Sequence, residues 1–132
     1  GSFFTGPMAQ KDGFDGKIEI NIGQDQTSVH GKFKCTRIYQ KDKKEIQAIL
    51  TGEFLGAINP ETGEMEANIA EGSMYMWTKK DGKWHPKGLP QNLPKQAKMI
   101  GIFDGKVING HVAMGQNKGY DWTASPAQPE EN

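Results

Sequence analysis

Alternation of apolar and polar residues with a period of two constrains this chain more than any other feature. Isoleucine occupies every second position of residues 17–22, and apolar residues or glycine do so throughout residues 46–58. Such alternation places apolar side chains on one face of a strand and polar side chains on the other. The longer segment must bend if it buries one face, and Gly52 and Gly56 are the positions where it can do so.

The alternation recurs along the chain, and no window of helical length has apolar residues at i, i+3, i+4 and i+7, so an all-β fold is predicted. Residues 91–99 leave room for at most a turn or two of helix. About eight strands are expected, covering residues 17–22, 29–36, 46–58, 64–69, 74–78, 99–103, 106–114 and 120–124.

Two Asp-Gly pairs indicate hairpins, because this dipeptide suits a type I′ turn. Asp81-Gly82 and Asp104-Gly105 are each predicted to form a two-residue hairpin tip. For the second pair a competing interpretation is a strand that continues through Gly105, since Gly101, Phe103 and Gly105 share one parity.

Glycine lies two residues from a phenylalanine in three of these strands, at Gly31-Phe33, Gly52-Phe54 and Gly101-Phe103. A glycine beside an inward ring lets a sheet curve tightly, as small closed sheets require. We therefore predict a single antiparallel up-and-down barrel, or a strongly curved sandwich, of about eight strands.

The length of 132 residues suits one domain. Residues 1–12 are interpreted as an expression-tag remnant and a flexible N-terminal segment, 13–124 as the barrel-like domain, and 125–132 as a disordered polar tail. A signal segment is expected to have been removed from the sequence, and the location is expected to be extracytoplasmic, in the periplasm or at the cell surface.

Composition argues against nucleic acid as a partner and against a membrane-spanning helix. Lys plus Arg and Asp plus Glu each number 16, so there is no basic excess for nucleic acid, and nucleic acid is not expected as a partner. No apolar run approaches the roughly 20 residues of a membrane helix, so no transmembrane segment is expected. The oligomeric state is left open.

No catalytic motif is present. Cys35, the single cysteine, has the parity of an apolar face, which favours a buried and inert thiol. His30, His85 and His111 lack the local spacing of metal ligands. We therefore predict no catalytic residue, no metal and no cofactor; an enzyme whose site is dispersed over several strands is the alternative.

Aromatic side chains are the better candidates for a binding site. The predicted ligand or partner-binding residues are Tyr75, Trp77, Trp84, His85, Tyr120 and Trp122. Planar rings on a rigid sheet can stack on sugars or receive a partner's side chain. Alternatively, these rings fill the barrel and its ends.

The proline-rich stretch 84–98 is predicted to be an irregular loop that borders this binding surface. The alternative is a loop that merely covers a barrel end, with Leu89 and Leu93 as plugs.

The Gly-x-Phe-x-Gly strands, the Asp-Gly hairpins, the Pro60-Glu61-Thr62-Gly63 turn and the closing Gly119–Ala124 segment resemble small barrel domains of bacterial surface lipoproteins of the transferrin-receptor type. The resemblance covers roughly residues 13–124 and is one of sequence style. It implies an up-and-down barrel in an envelope or exported binding protein, and it assigns no functional residue.

The expected function is therefore non-catalytic binding by an exported or envelope bacterial protein. The ligand would be a protein partner or a small apolar or sugar molecule. A structural or assembly subunit that self-associates is the other alternative besides the dispersed enzyme.

Overall fold

Antiparallel strands make up most of the computed structural model, which describes residues 1–128. The strands are β1 (Ser2–Met8), β2 (Asp15–Ile22), β3 (Ser28–Lys41), β4 (Lys44–Ile58), β5 (Glu64–Lys80), β6 (Lys83–Pro86), β7 (Gln91–Asn92), β8 (Lys98–Phe103), β9 (Ile108–Met114) and β10 (Asn117–Pro126). A single 3-10 turn over Gln10–Asp12 follows β1.

Eight of these strands close into an up-and-down barrel. The sheet runs from β4 through β3, β2, β1, β10, β9 and β8 to β5, and β4 pairs with β5 to complete the circle. The strands β6 and β7 also pair with β5 but lie outside the barrel. This architecture confirms the predicted all-β barrel and decides against the sandwich.

Aromatic rings and glycines lie opposite each other on neighbouring strands of the barrel, in keeping with the repeated Gly-x-Phe pattern. Phe33 lies opposite Gly52 and Phe54 lies opposite Gly31, so the two pairs are reciprocal. A Cβ atom at either glycine would collide with the facing ring, so each ring occupies the space that the glycine leaves. The barrel interior is consequently filled by packed side chains.

The predicted flexible N-terminal segment is corrected by the presence of β1. Its residues pair with β2 from Ser2 to Met8, and Phe4 and Met8 are buried in the core. At the other end, β10 extends to Pro126, and the Ala127 N–H donates to the Phe3 carbonyl over 2.9 Å. The predicted start of the disordered tail at residue 125 is therefore too early, and residues 129–132 lie outside the part of the chain that the structure describes.

The strands predicted at 64–69 and 74–78 form one long strand, β5. Its inward residues change parity between Ile69 and Met74 because the pairing with β4 shifts register beside Phe54. A β-bulge adds one residue to a strand and so moves the following side chains to the other face. The change of parity was the sequence signal of this bulge.

The two Asp-Gly turns differ. Asp81 and Gly82 both have positive φ, 51° and 75°, between the paired Lys80 and Lys83, which confirms a two-residue type I′ tip. The second turn has four residues, because Phe103 pairs with Ile108. Both predictions for Asp104-Gly105 are therefore wrong: the tip is longer, and φ of 97° at Gly105 is incompatible with a continuing strand.

Candidate binding face on the outer side of the sheet

Three barrel strands, β3, β4 and β5, continue well past the end of the barrel. Pairing between β2 and β3 ends at Thr36, so residues 37–41 continue past β2. Pairing between β5 and β8 covers residues 64–68 only, and the remainder of β5 pairs with β4, β6 and β7. The result is an extension of the sheet formed by β3, β4, β5 and β6.

The inner side of this extension packs toward the barrel. Ile46 and Thr78 are paired and buried, and Met74 and Met76 pack against the core. Because successive residues of a strand face opposite sides, the residues between them face outward. The outer side of β5 therefore presents Tyr75 and Trp77.

The β5–β6 hairpin brings a second indole to this outer side. Trp84 pairs with Lys79, two residues beyond Trp77, and the Lys79 ammonium lies 5.7 Å from the centroid of the Trp84 ring. Lys79 also lies 3.7 Å from the Glu45 carboxylate. These contacts place Trp84 diagonally next to Trp77 on one surface.

Aliphatic residues complete the surface. Ile38 is 56% exposed and lies in one row with Gln47, Trp77 and Pro86, and Ile49 lies opposite Tyr75. Tyr75 is 38% exposed, whereas both tryptophans are half-buried. We call this surface the aromatic face; it consists of Ile38, Ile49, Tyr75, Trp77, Trp84 and Pro86.

The other three predicted site residues lie elsewhere. Trp122 is 2% exposed and lies inside the barrel against Gly101 and Gly110, so it belongs to the core. Tyr120 is half-buried and contacts Phe14 edge-to-face at 5.7 Å, and burial raises the pKa of its hydroxyl. The alternative that the rings fill the barrel is therefore correct for these two residues.

His85 is exposed but does not belong to the aromatic face. It pairs with Thr78, whose side chain is on the inner side of the extension. Paired residues of neighbouring strands share a face, so the imidazole lies on the side opposite Trp84.

The proline-rich stretch after Trp84 runs along the edge of β5 and is less irregular than predicted. It includes the end of β6 and the whole of β7, and the Lys87 N–H donates to the Met76 carbonyl over 2.8 Å. Leu93 packs over Gly72, whereas Leu89 is 88% exposed, so Leu93 is the only one of the two predicted plugs that packs. The stretch thus borders the aromatic face along its β6 edge.

A groove adjoins the aromatic face and shares Tyr75 with it. Its volume is about 430 Å³, and it lies on the outer side of β2, β3, β4 and β5. We call it the charged groove. Its polar lining residues are Lys17, Glu19, Lys32, Lys34, Thr51, Glu53, Glu71 and Ser73. The sequence pattern placed Lys17, Lys32 and Lys34 on wet strand faces and left Glu71 and Ser73 outside any predicted strand. The groove was missed because only the strand register brings these residues together.

Chemically reactive groups are not gathered in the part of the chain that the structure describes. Burial raises the pKa of the Cys35 thiol to about 12, which keeps it protonated and a poor nucleophile. Within residues 1–128 no three His, Cys, Asp or Glu side chains are placed to hold a metal ion. Nor does this part contain a helix long and apolar enough to cross a membrane.

No protein-family model, curated protein or solved structure matches this chain. The geometry of the aromatic face and the charged groove is thus the basis for assigning a function.

Proposed function

We propose that this domain is a non-catalytic binding module of an exported or envelope protein, and that it recognises a partner protein through the aromatic face. The observation that carries the proposal is the placement of Tyr75, Trp77 and Trp84 on one outward surface. The envelope location is supported by the resemblance to surface-lipoprotein barrels.

The composition of the aromatic face supports a protein partner. Tyrosine and tryptophan supply most of the binding energy at the hot spots of interfaces, at about 2 kcal/mol or more each. Their rings lose few torsional degrees of freedom on binding, and here they are mounted on paired strands. The exposed Ile38 adds aliphatic area of a kind that interface cores use.

The packed barrel interior argues for recognition on the outside. Phe33 and Phe54 fill the space above the glycines of the neighbouring strand, and Trp122 does so on the other side of the barrel. A small apolar ligand would have to displace these rings, which would cost the energy of their burial. An outer surface needs no such rearrangement.

The edge of β6 does not favour strand addition. Pro86 has no N–H to donate to an incoming strand, and proline and lysine on edge strands are devices that prevent such pairing. Recognition therefore uses the side chains of the face and not the backbone of this edge.

The proposal can be tested by selecting peptides from a random displayed library on the immobilised protein. The selected peptides are then measured against Trp84→Ala, with Leu89→Ala as the matched control. Leu89 is 88% exposed and lies outside the face. Loss of the indole is expected to weaken binding about 30-fold, and the control is expected to change little.

Circular dichroism would verify that both variants fold. Peptides that bind Trp84→Ala as well as the parent would contradict the proposal. Light scattering on the free protein tests the self-association alternative, since a stable oligomer that dissociates in Trp84→Ala would show that the partner is a second copy.

A further inference from the structure

The charged groove contains two pairs of like charges that face each other directly. Lys17 lies opposite Lys34 across β2 and β3, and Glu53 lies opposite Glu71 across β4 and β5. Like charges in directly opposed positions of a sheet are destabilising. Sites at which a chain departs from a local rule of stability are where function is expected.

In the described part of the chain, the ion pairs within the groove leave three of its charges without an oppositely charged atom within 4.0 Å, although Glu53 lies directly opposite Lys32 across β3 and β4. Glu19 lies 3.8 Å from the Lys17 ammonium and 3.7 Å from that of Lys32, so one carboxylate serves two lysines. Within the described range 1–128, Lys34, Glu53 and Glu71 have no oppositely charged partner within 4.0 Å. The groove therefore has a cationic side at β3 and an anionic side at β4 and β5.

We propose that the charged groove binds an extended segment of a polypeptide that carries one acidic and one basic side chain two residues apart. The acidic side chain would lie over Lys34 and the basic one over Glu53 and Glu71. This inference rests on the proposed function, because the segment belongs to the partner that the aromatic face recognises, and Tyr75 borders both surfaces.

The spacing of the charges matches an extended peptide. Lys34 lies opposite Thr51, so Glu53 is its diagonal neighbour on the next strand. Diagonal neighbours in a sheet are about 7–8 Å apart, and residues two apart in an extended chain are separated by about 6.6 Å. An acidic and a basic side chain at this spacing reach both sides of the groove.

The premise of repulsion between Glu53 and Glu71 can be tested without any ligand. Glu71→Gln removes one charge of the Glu53–Glu71 pair and is expected to raise the thermal unfolding midpoint by roughly 2 °C. Glu64→Gln is the matched control, since Glu64 is an exposed residue of the same strand that lies opposite the uncharged Ile102. A Glu71→Gln protein no more stable than the control would overturn the proposal.

Binding is tested by titrating the isotopically labelled protein with acetyl-Asp-Ala-Arg-amide at low ionic strength and following the backbone amide resonances. The expected result is saturable shifts at Lys34, Glu53 and Glu71 at millimolar peptide. The same-sign peptides acetyl-Asp-Ala-Asp-amide and acetyl-Arg-Ala-Arg-amide are expected to bind at least about tenfold more weakly. Glu71→Gln is expected to reduce the preference for the mixed-charge peptide over acetyl-Asp-Ala-Asp-amide and to leave its preference over acetyl-Arg-Ala-Arg-amide, which depends on Lys34.

Equal binding of all three peptides, or an absence of shifts in the groove, would overturn the inference. Saturable shifts of the same amides with cellotetraose but not with the peptides would also overturn it, and would indicate a glycan site. Peptides selected through Trp84 report separately on the aromatic face, so the groove can fail while the proposed function stands.

Discussion

At the scale of single residues, exchange of ring and glycine positions explains how a small barrel closes. Phe33 and Gly52 face each other, and two residues along the same strands Gly31 faces Phe54. Each ring occupies the volume that the opposite glycine leaves empty, so the wall can curve without a cavity. The burial of the ring stabilises such a pair, because the opposite glycine has no side chain that could fill the space if the ring were removed.

Phe54→Ala is therefore expected to lower the free energy of unfolding by about 3–5 kcal/mol. Leu55→Ala is the matched control, because Leu55 is the next residue but is 62% exposed, and it is expected to change stability by no more than about 0.5 kcal/mol. Urea denaturation followed by circular dichroism measures both. Similar midpoints for the two variants would show that Phe54 does not hold the barrel together.

The parity of residues along a strand predicts which rings face inward, and it did so for Phe33 and Phe54. For Trp122 the alternation was compatible with burial but did not decide it, because the space that the ring fills is left by Gly101 in β8 and Gly110 in β9. Side-chain contacts across strands follow from register, and register is set by the whole sheet.

At the scale of elements, β1 is the barrel strand that sequence reasoning missed. Its sequence contains Gly6 and Pro7, which disfavour a strand. The structure accommodates them because the β1–β10 pairing skips both residues, between Thr5 and Met8. Proline lacks an N–H and is tolerated where no partner strand requires one.

Because β1 joins β2 to β10, its removal is expected to open the barrel. A chain lacking residues 1–8 is expected to lose cooperative thermal unfolding and to exchange its β2 and β10 amides rapidly. Phe4→Ala, which leaves the strand in place, is expected to cost about 3–5 kcal/mol, whereas the exposed Ser2→Ala should change little. A truncated chain with the unfolding midpoint of the parent would contradict the role of β1 in closure.

At the scale of the whole molecule, a filled barrel supports a sheet extension that presents the aromatic face and the charged groove side by side. Closure removes most sheet edges, and Pro86 blunts the edge of β6. Alternation separates Tyr75 and Trp77 from Met74 and Met76, but it did not decide which of the two pairs faces outward. The Asp81-Gly82 turn brings Trp84 back along β5. The groove was not predictable, because alternation identifies a wet face but does not show which charges meet across it.

Fluorine NMR of the protein labelled with 5-fluorotryptophan tests the central claim directly, because Trp77, Trp84 and Trp122 each contribute one resonance that single substitutions assign. The resonances of Trp77 and Trp84 are expected to show a solvent isotope shift and to move when a Trp84-dependent peptide is added. The resonance of the buried Trp122 is expected to do neither. Peptide-induced shifts confined to Trp122, or shielding of both Trp77 and Trp84 from solvent in the free protein, would contradict recognition through the aromatic face.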